Sequence, residues 1–177
     1  CLVPTALAAS NVLTTSADLS WTAGGTETVW ELTWGTQGTN PASGTLVNAL
    51  TTNTYNLTGL SANTSYDYYV KADCGFATGS TNLSAWAGPF TFTTPCSAVS
   101  SFPFTETFED ASTTRLCWVN VQETGTANWT YSSGSSGGSI SSAYNGTMNA
   151  VFVSSSNTTL VTKLVSPVMD LSSLTAP

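Results

Sequence analysis

The 177-residue chain contains no histidine. Its only cations are Lys71, Arg115 and Lys163, against ten acidic residues, for a formal net charge of −7. Charged residues make up 7% of the chain, where soluble domains carry about 25%. Each shortage excludes something. Without an imidazole, Ser-His-Asp and Cys-His nucleophilic sites have no base. A Ser-Lys pair stays formally open, but Lys71 and Lys163 lie in strand-like runs with no nucleophile motif. Zinc loses its usual nitrogen ligand, and the four cysteines are not in C-x-x-C spacing. Too few cations exist to neutralise a phosphate backbone, so nucleic acid is excluded as a partner, as is an anionic membrane surface. No run approaches the ~20 apolar residues that span a bilayer, so direct membrane insertion is not expected. Helical periodicity is nearly absent too.

Threonine and serine take up the missing charge, with 32 and 25 copies. Trp, Tyr and Phe number 6, 6 and 7 and are spread along the chain, so the composition is not that of a disordered segment. Thr and aromatics favour pleated, half-buried surfaces. Short alternating runs recur. Residues 17–22 put Leu19 and Trp21 on one face. Residues 28–34 set Trp30, Leu32 and Trp34 against Val29, Glu31 and Thr33. Residues 66–72 line up Tyr66, Tyr68, Val70 and Ala72. Phe90 and Phe92 close the set. Gly- and Ser-rich turns separate the runs at the spacing of a β-sandwich, so the fold class is all-β.

Cys1, Cys74, Cys96 and Cys117 are even in number, which suggests two disulfides and an oxidising compartment. Counting alone leaves all three pairings open. Six Asn-x-Ser/Thr sequons, at Asn56, Asn63, Asn82, Asn128, Asn145 and Asn157, carry little weight in a chain so rich in Ser and Thr. Trp86 and Tyr144 are candidates for stacking on sugars, although aromatics more often pack at sheet edges.

FPFTETFED, residues 102–110, concentrates three of the ten acids, Glu106, Glu109 and Asp110, among Phe102, Phe104 and Phe108. A glycosidase needs two carboxyls about 5–9 Å apart across one cleft. On a strand, Glu106 and Glu109 would point to opposite faces, which argues against that chemistry, and no catalytic residue is assigned. Calcium accepts a looser mix of oxygens. Glu109 and Asp110 stand where a strand would give way to a loop, so Glu109, Asp110 and Glu106 form a candidate calcium site. The competing expectation is plain solvation of a sheet edge. Glu106 shares a face with Phe104 and Phe108 and needs a ligand role, a partner such as Arg115, or a wet face.

The stretch LTGLSANTSYDYYVKADCG, residues 57–75, resembles the fibronectin type III domain. Leu60, Thr64, Tyr66, Val70 and Ala72 match the family's L-x-P-x-T-x-Y-x-x-x-V-x-A pattern, with Ala62 in place of the usual proline. Trp21 matches the core tryptophan of the second strand. The resemblance implies a seven-stranded, Ig-like sandwich over residues 1–95, with Trp21, Leu60, Tyr66 and Val70 in the core and Tyr66 in a tyrosine corner. On those boundaries Cys1 pairs with Cys74 and Cys96 with Cys117. Cys74–Cys96 is the rival, since strands six and seven are neighbours. The Cys-led module with an Ala-Asp-Cys-Gly sixth strand looks like modules of secreted and surface proteins from Bacteroidetes-type bacteria.

Residues 96–177 have another texture. Phe108-Glu109, Cys117-Trp118, Trp129 and Leu164 to Pro167 occur in an order that resembles MAM domains and the related cleaved-adhesin jelly rolls. Cys96 lies farther from the Phe-Glu pair than the first cysteine of MAM domains does. About five strands can be read between residues 104 and 166, fewer than a full jelly roll needs, so a partial jelly roll is expected. Together the resemblances imply a non-catalytic adhesion segment of a larger secreted or cell-surface bacterial protein. The fibronectin module would be the spacer, and the jelly roll would bind a surface glycan or another surface protein. Calcium is the one cofactor they suggest. The alternatives are accessory modules of an exported protease or glycoside hydrolase, and a structural subunit of a surface filament.

Overall fold

The computed structural model describes residues 1–80, 82–133, 142–143, 145–153 and 159–174. Tyr144 and Asn157, singled out in the sequence, lie outside them. The chain divides into two compact units, Cys1–Cys96 and Ser97–Pro177. Regular structure among the described residues is all β, apart from single 3₁₀ turns at Phe76–Thr78 and Arg115–Cys117.

The first unit is a sandwich of seven antiparallel strands. They are β1 (Thr5–Ser10), β2 (Ser16–Thr22), β3 (Trp30–Thr36), β4 (Thr45–Leu50), β5 (Thr54–Thr58), β6 (Ser65–Ala72) and β7 (Ala87–Thr93). One sheet runs β1-β2-β5 and the other β4-β3-β6-β7. Alternation explains the burial. In β2, Ala17, Leu19 and Trp21 are buried, and in β6 so are Tyr66, Tyr68, Val70 and Ala72. These side chains meet Trp30 and Leu32 of β3, Leu57 and Leu60, and Phe92 of β7 in one core cluster. Tyr68 links the layers. Its hydroxyl is shared between the carbonyls of Ala8 (2.8 Å) and Ser20 (2.9 Å), on β1 and β2 of the other sheet.

Alternation fails at Thr33. It belongs to the face opposite Trp30 and Leu32, yet it is fully buried. Gly44, beside β4, closes over it so tightly that a Cβ there would collide with the Thr33 hydroxyl.

The second unit has β8 (Val119–Thr124), β9 (Trp129–Ser133), β10 (Met148–Phe152) and β11 (Val161–Val165). β9 pairs antiparallel with β10, and β8 with β11. Val99 and Met169 add a parallel bridge. FPFTETFED was expected to be a strand, and it is not one. Phe108 takes φ 59°, a left-handed conformation that ends any extended run, and local side chains occupy the backbone groups a neighbouring strand would use.

Candidate functional site

The acidic cluster is built around that left-handed residue. The Glu106 carboxylate accepts from the Phe108 N–H (2.7 Å), the Thr114 hydroxyl (2.7 Å) and the Trp118 indole N–H (3.2 Å). Arg115 donates to the Phe108 carbonyl at 2.9 Å. Both backbone polar groups of Phe108 are therefore held by ionised side chains, the stronger kind of hydrogen bond. The Phe108 ring packs against Trp118 at 5.2 Å and stacks on Tyr131 at 5.6 Å. The Arg115 guanidinium lies over the Tyr131 ring at 5.2 Å.

Glu109 works elsewhere. Its carboxylate accepts from the backbone N–H groups of Thr147 (2.7 Å) and Met148 (2.8 Å) and from the Thr147 hydroxyl (2.5 Å). It thereby holds the start of β10. Gly146, at φ 81°, precedes this clamp, and a Cβ there would run into the carboxylate. Asp110 pairs with Arg115 at 2.7 Å.

The electrostatics follow from these partners. Burial pushes the Glu106 carboxyl up, but bonds from Thr114, Ser112, Phe108 and Trp118 outweigh it and hold the group below its ordinary value of 4.5. Glu109 is likewise held low, by the Thr147 hydroxyl first and then by the Met148 and Thr147 amides.

Calcium requires several oxygens converging on one point. Glu106 and Glu109 each accept three hydrogen bonds from the protein, and Asp110 faces a guanidinium. Among the described residues the one convergent group of potential ligands is Cys1, Glu27 and Cys74, whose sulfurs are joined to each other. The candidate calcium set of Glu106, Glu109 and Asp110 is engaged with the protein's own donors. It serves as a bracket for the backbone.

In the first unit, Tyr66 is buried and its hydroxyl accepts the Ser61 N–H at 2.9 Å. Comparison with protein-family models matches residues 2–85 to the fibronectin type III domain. The N-terminal unit carries a fibronectin type III domain. Its Trp21, Leu60, Tyr66 and Val70 all belong to the buried core. Among solved structures, the chain is similar to the fn3 domain of human collagen alpha-1(XX) chain, at 24% identity over 56% of this chain and 90% of that one, with TM-score 0.46. It is similar to the FN1-FN3 domains of chicken CNTN1, at 16% identity over 52% of this chain and 30% of that one, with TM-score 0.45. A computer-based redesign of a β-sandwich protein shares 24% identity over 52% of this chain and 94% of its own, with TM-score 0.44. No curated protein matches the chain.

Cys1 and Cys74 form a disulfide that ties the start of the fibronectin domain to the residues just after β6. Cys96 and Cys117 are also disulfide-bonded. An open groove of about 530 Å³ lies beside the first bridge, lined by Leu2, Glu27, Val29, Asp73 and Phe76 among others. Glu27 is not free there, because it accepts from the Leu2 and Gly25 amides at 2.6 Å each. Trp86, the candidate sugar platform, is half-buried under the Lys71 ammonium, 4.5 Å from the ring centroid. Lys71 in turn pairs with Glu31 at 2.8 Å. That ring face is occupied by the protein itself.

The sequence offered Arg115 as a partner for Glu106, and the structure pairs it with Asp110 and the Phe108 carbonyl instead; Thr147 went unseen as an organiser of the acidic cluster. Arg115 was legible as the one cation near the acids. Thr147 was not, since it lies 38 residues from Glu109.

Proposed function

We propose that residues 1–177 form a non-catalytic binding segment of a larger extracellular protein. The fibronectin type III domain acts as spacer, and the second unit, part of a jelly-roll-like sandwich, carries the binding surface. Disulfides and a fibronectin domain are consistent with an extracellular setting. No helix among the described residues is long and apolar enough to cross a membrane.

The observation that carries this reading is the use to which the acidic cluster is put. Acid–base catalysis needs a group with a pKa near the working pH and within reach of substrate. Glu106 and Glu109 are instead held low by hydrogen bonds from the protein, and the chain has no imidazole to take over.

The jelly-roll reading draws support from the β8–β11 ribbon. Val119, Val121, Val161 and Val165 are exposed on it, and the parity of the strands puts them on one face. Lys163, paired with Glu123, shares that face, and its valines are where a second sheet would pack. Assignment to a bacterial cell surface and to adhesion rests on the resemblance to MAM-like and cleaved-adhesin sequences.

The test is a parallel assay of binding and turnover on polysaccharide and protein films. Retention on at least one film without release of products is expected. Hydrolysis that survives purification to homogeneity would overturn the reading.

A further inference from the structure

Beside the Glu106 bracket the second unit holds an open groove of about 410 Å³. Phe108, Met148 and Ala150 supply its apolar lining, and Thr105, Thr107 and Asn145 add hydroxyl and amide groups. We propose that this groove is a binding site for a neutral saccharide unit. The inference rests on the binding-segment reading and names the site and ligand class within it.

Charge narrows the ligand first. Among the described residues no cation lines the groove, and the chain carries a net charge of −7, so an anionic group would meet no partner there. A cationic ligand fares no better. Glu106, the one acid in the lining, already accepts from Phe108, Thr114 and Trp118. A neutral ligand remains.

Shape and chemistry narrow it further. The volume falls in the roughly 300–1,000 Å³ range of small-ligand sites. A stable protein interface needs about 800 Å² per partner, which suits a flat surface better than a groove of this size. A sugar ring offers a C–H face for the Phe108, Met148 and Ala150 lining. Its hydroxyl rim matches the Thr105, Thr107 and Asn145 groups, which are exposed and able to exchange water for ligand.

The wall is also preorganised. Phe108 is held at φ 59° by a bond to each of its backbone polar groups and by rings at 5.2 and 5.6 Å. Backbone strain of this kind concentrates at ligand sites, and a wall that is already fixed loses little freedom on binding.

The experiment is an array of neutral, sialylated and sulfated glycans probed with residues 1–177, alongside Thr105→Trp to fill the groove. Thr51→Trp, on the fibronectin domain, is the control, and thermal melts check each variant. Neutral glycans are expected to bind, with affinity weakened at least about tenfold by Thr105→Trp and unchanged by Thr51→Trp. Should Thr105→Trp misfold, Asn145→Ala replaces it and is expected to weaken the same glycans several-fold. Binding of acidic glycans only, neutral binding that neither variant alters, or no glycan binding would each overturn the groove. Retention on protein films without turnover would leave the binding-segment reading standing, whereas turnover would sink that reading and not the groove.

Discussion

Phe108 adopts a conformation that a bulky L-residue avoids, at a cost of about 1–3 kcal/mol. Glu106 and Arg115 are the side chains that offset it. Replacing Glu106 by alanine removes the acceptor for the Phe108 amide, the Thr114 hydroxyl and the Trp118 indole. A loss of about 1–3 kcal/mol in the stability of the second unit is expected, measurable by urea unfolding, and Glu106→Gln should lose less. The same acceptors set an acid limit. Glu106 and Glu109 have folded-state pKa values below 4.5, so folding favours their ionised forms. Their contribution is complete above about pH 4.5 and fades as the pH falls through the lowered values. Tyr68 gives the mirror case. Burial raises its hydroxyl from 10.0 to about 12, so the folded state holds that proton more tightly. Its contribution is intact below pH 10 and is lost as the pH rises toward 12. Tyr68→Phe should flatten the alkaline limb of a stability–pH curve for the fibronectin domain. An unchanged limb would mean that another group titrates there.

At the scale of elements, the Cys1–Cys74 bridge closes a long stretch of chain, its two cysteines 73 positions apart. Replacing both cysteines by serine should cost about 2–5 kcal/mol, read as a lower melting temperature of the fibronectin domain in oxidising buffer. Strands β2 and β6 were legible because their inward faces repeat with a period of two over a half-buried sheet. Thr33 was not, because its burial comes from Gly44, a neighbour that no local period reveals. FPFTETFED was misread for a related reason. Its Phe and Thr residues suit a strand, but the partners of its backbone are side chains. Glu106 takes the Phe108 amide and Arg115 the Phe108 carbonyl, which leaves no ladder to form.

At the scale of the whole molecule, the fibronectin resemblance could be read from residues 57–75 because the tyrosine corner and core positions are close in sequence. The second unit was harder to read. Glu109 acts on Thr147 and Met148, far along the chain, so local spacing gave no sign of the clamp it forms. Thermal unfolding of residues 1–177, first with added calcium and then with chelator, tests most directly whether those acids organise the backbone. The expected result is one melting profile in both buffers, with the second unit weakened by Glu106→Ala. A melting temperature that calcium raises and chelator lowers would contradict it.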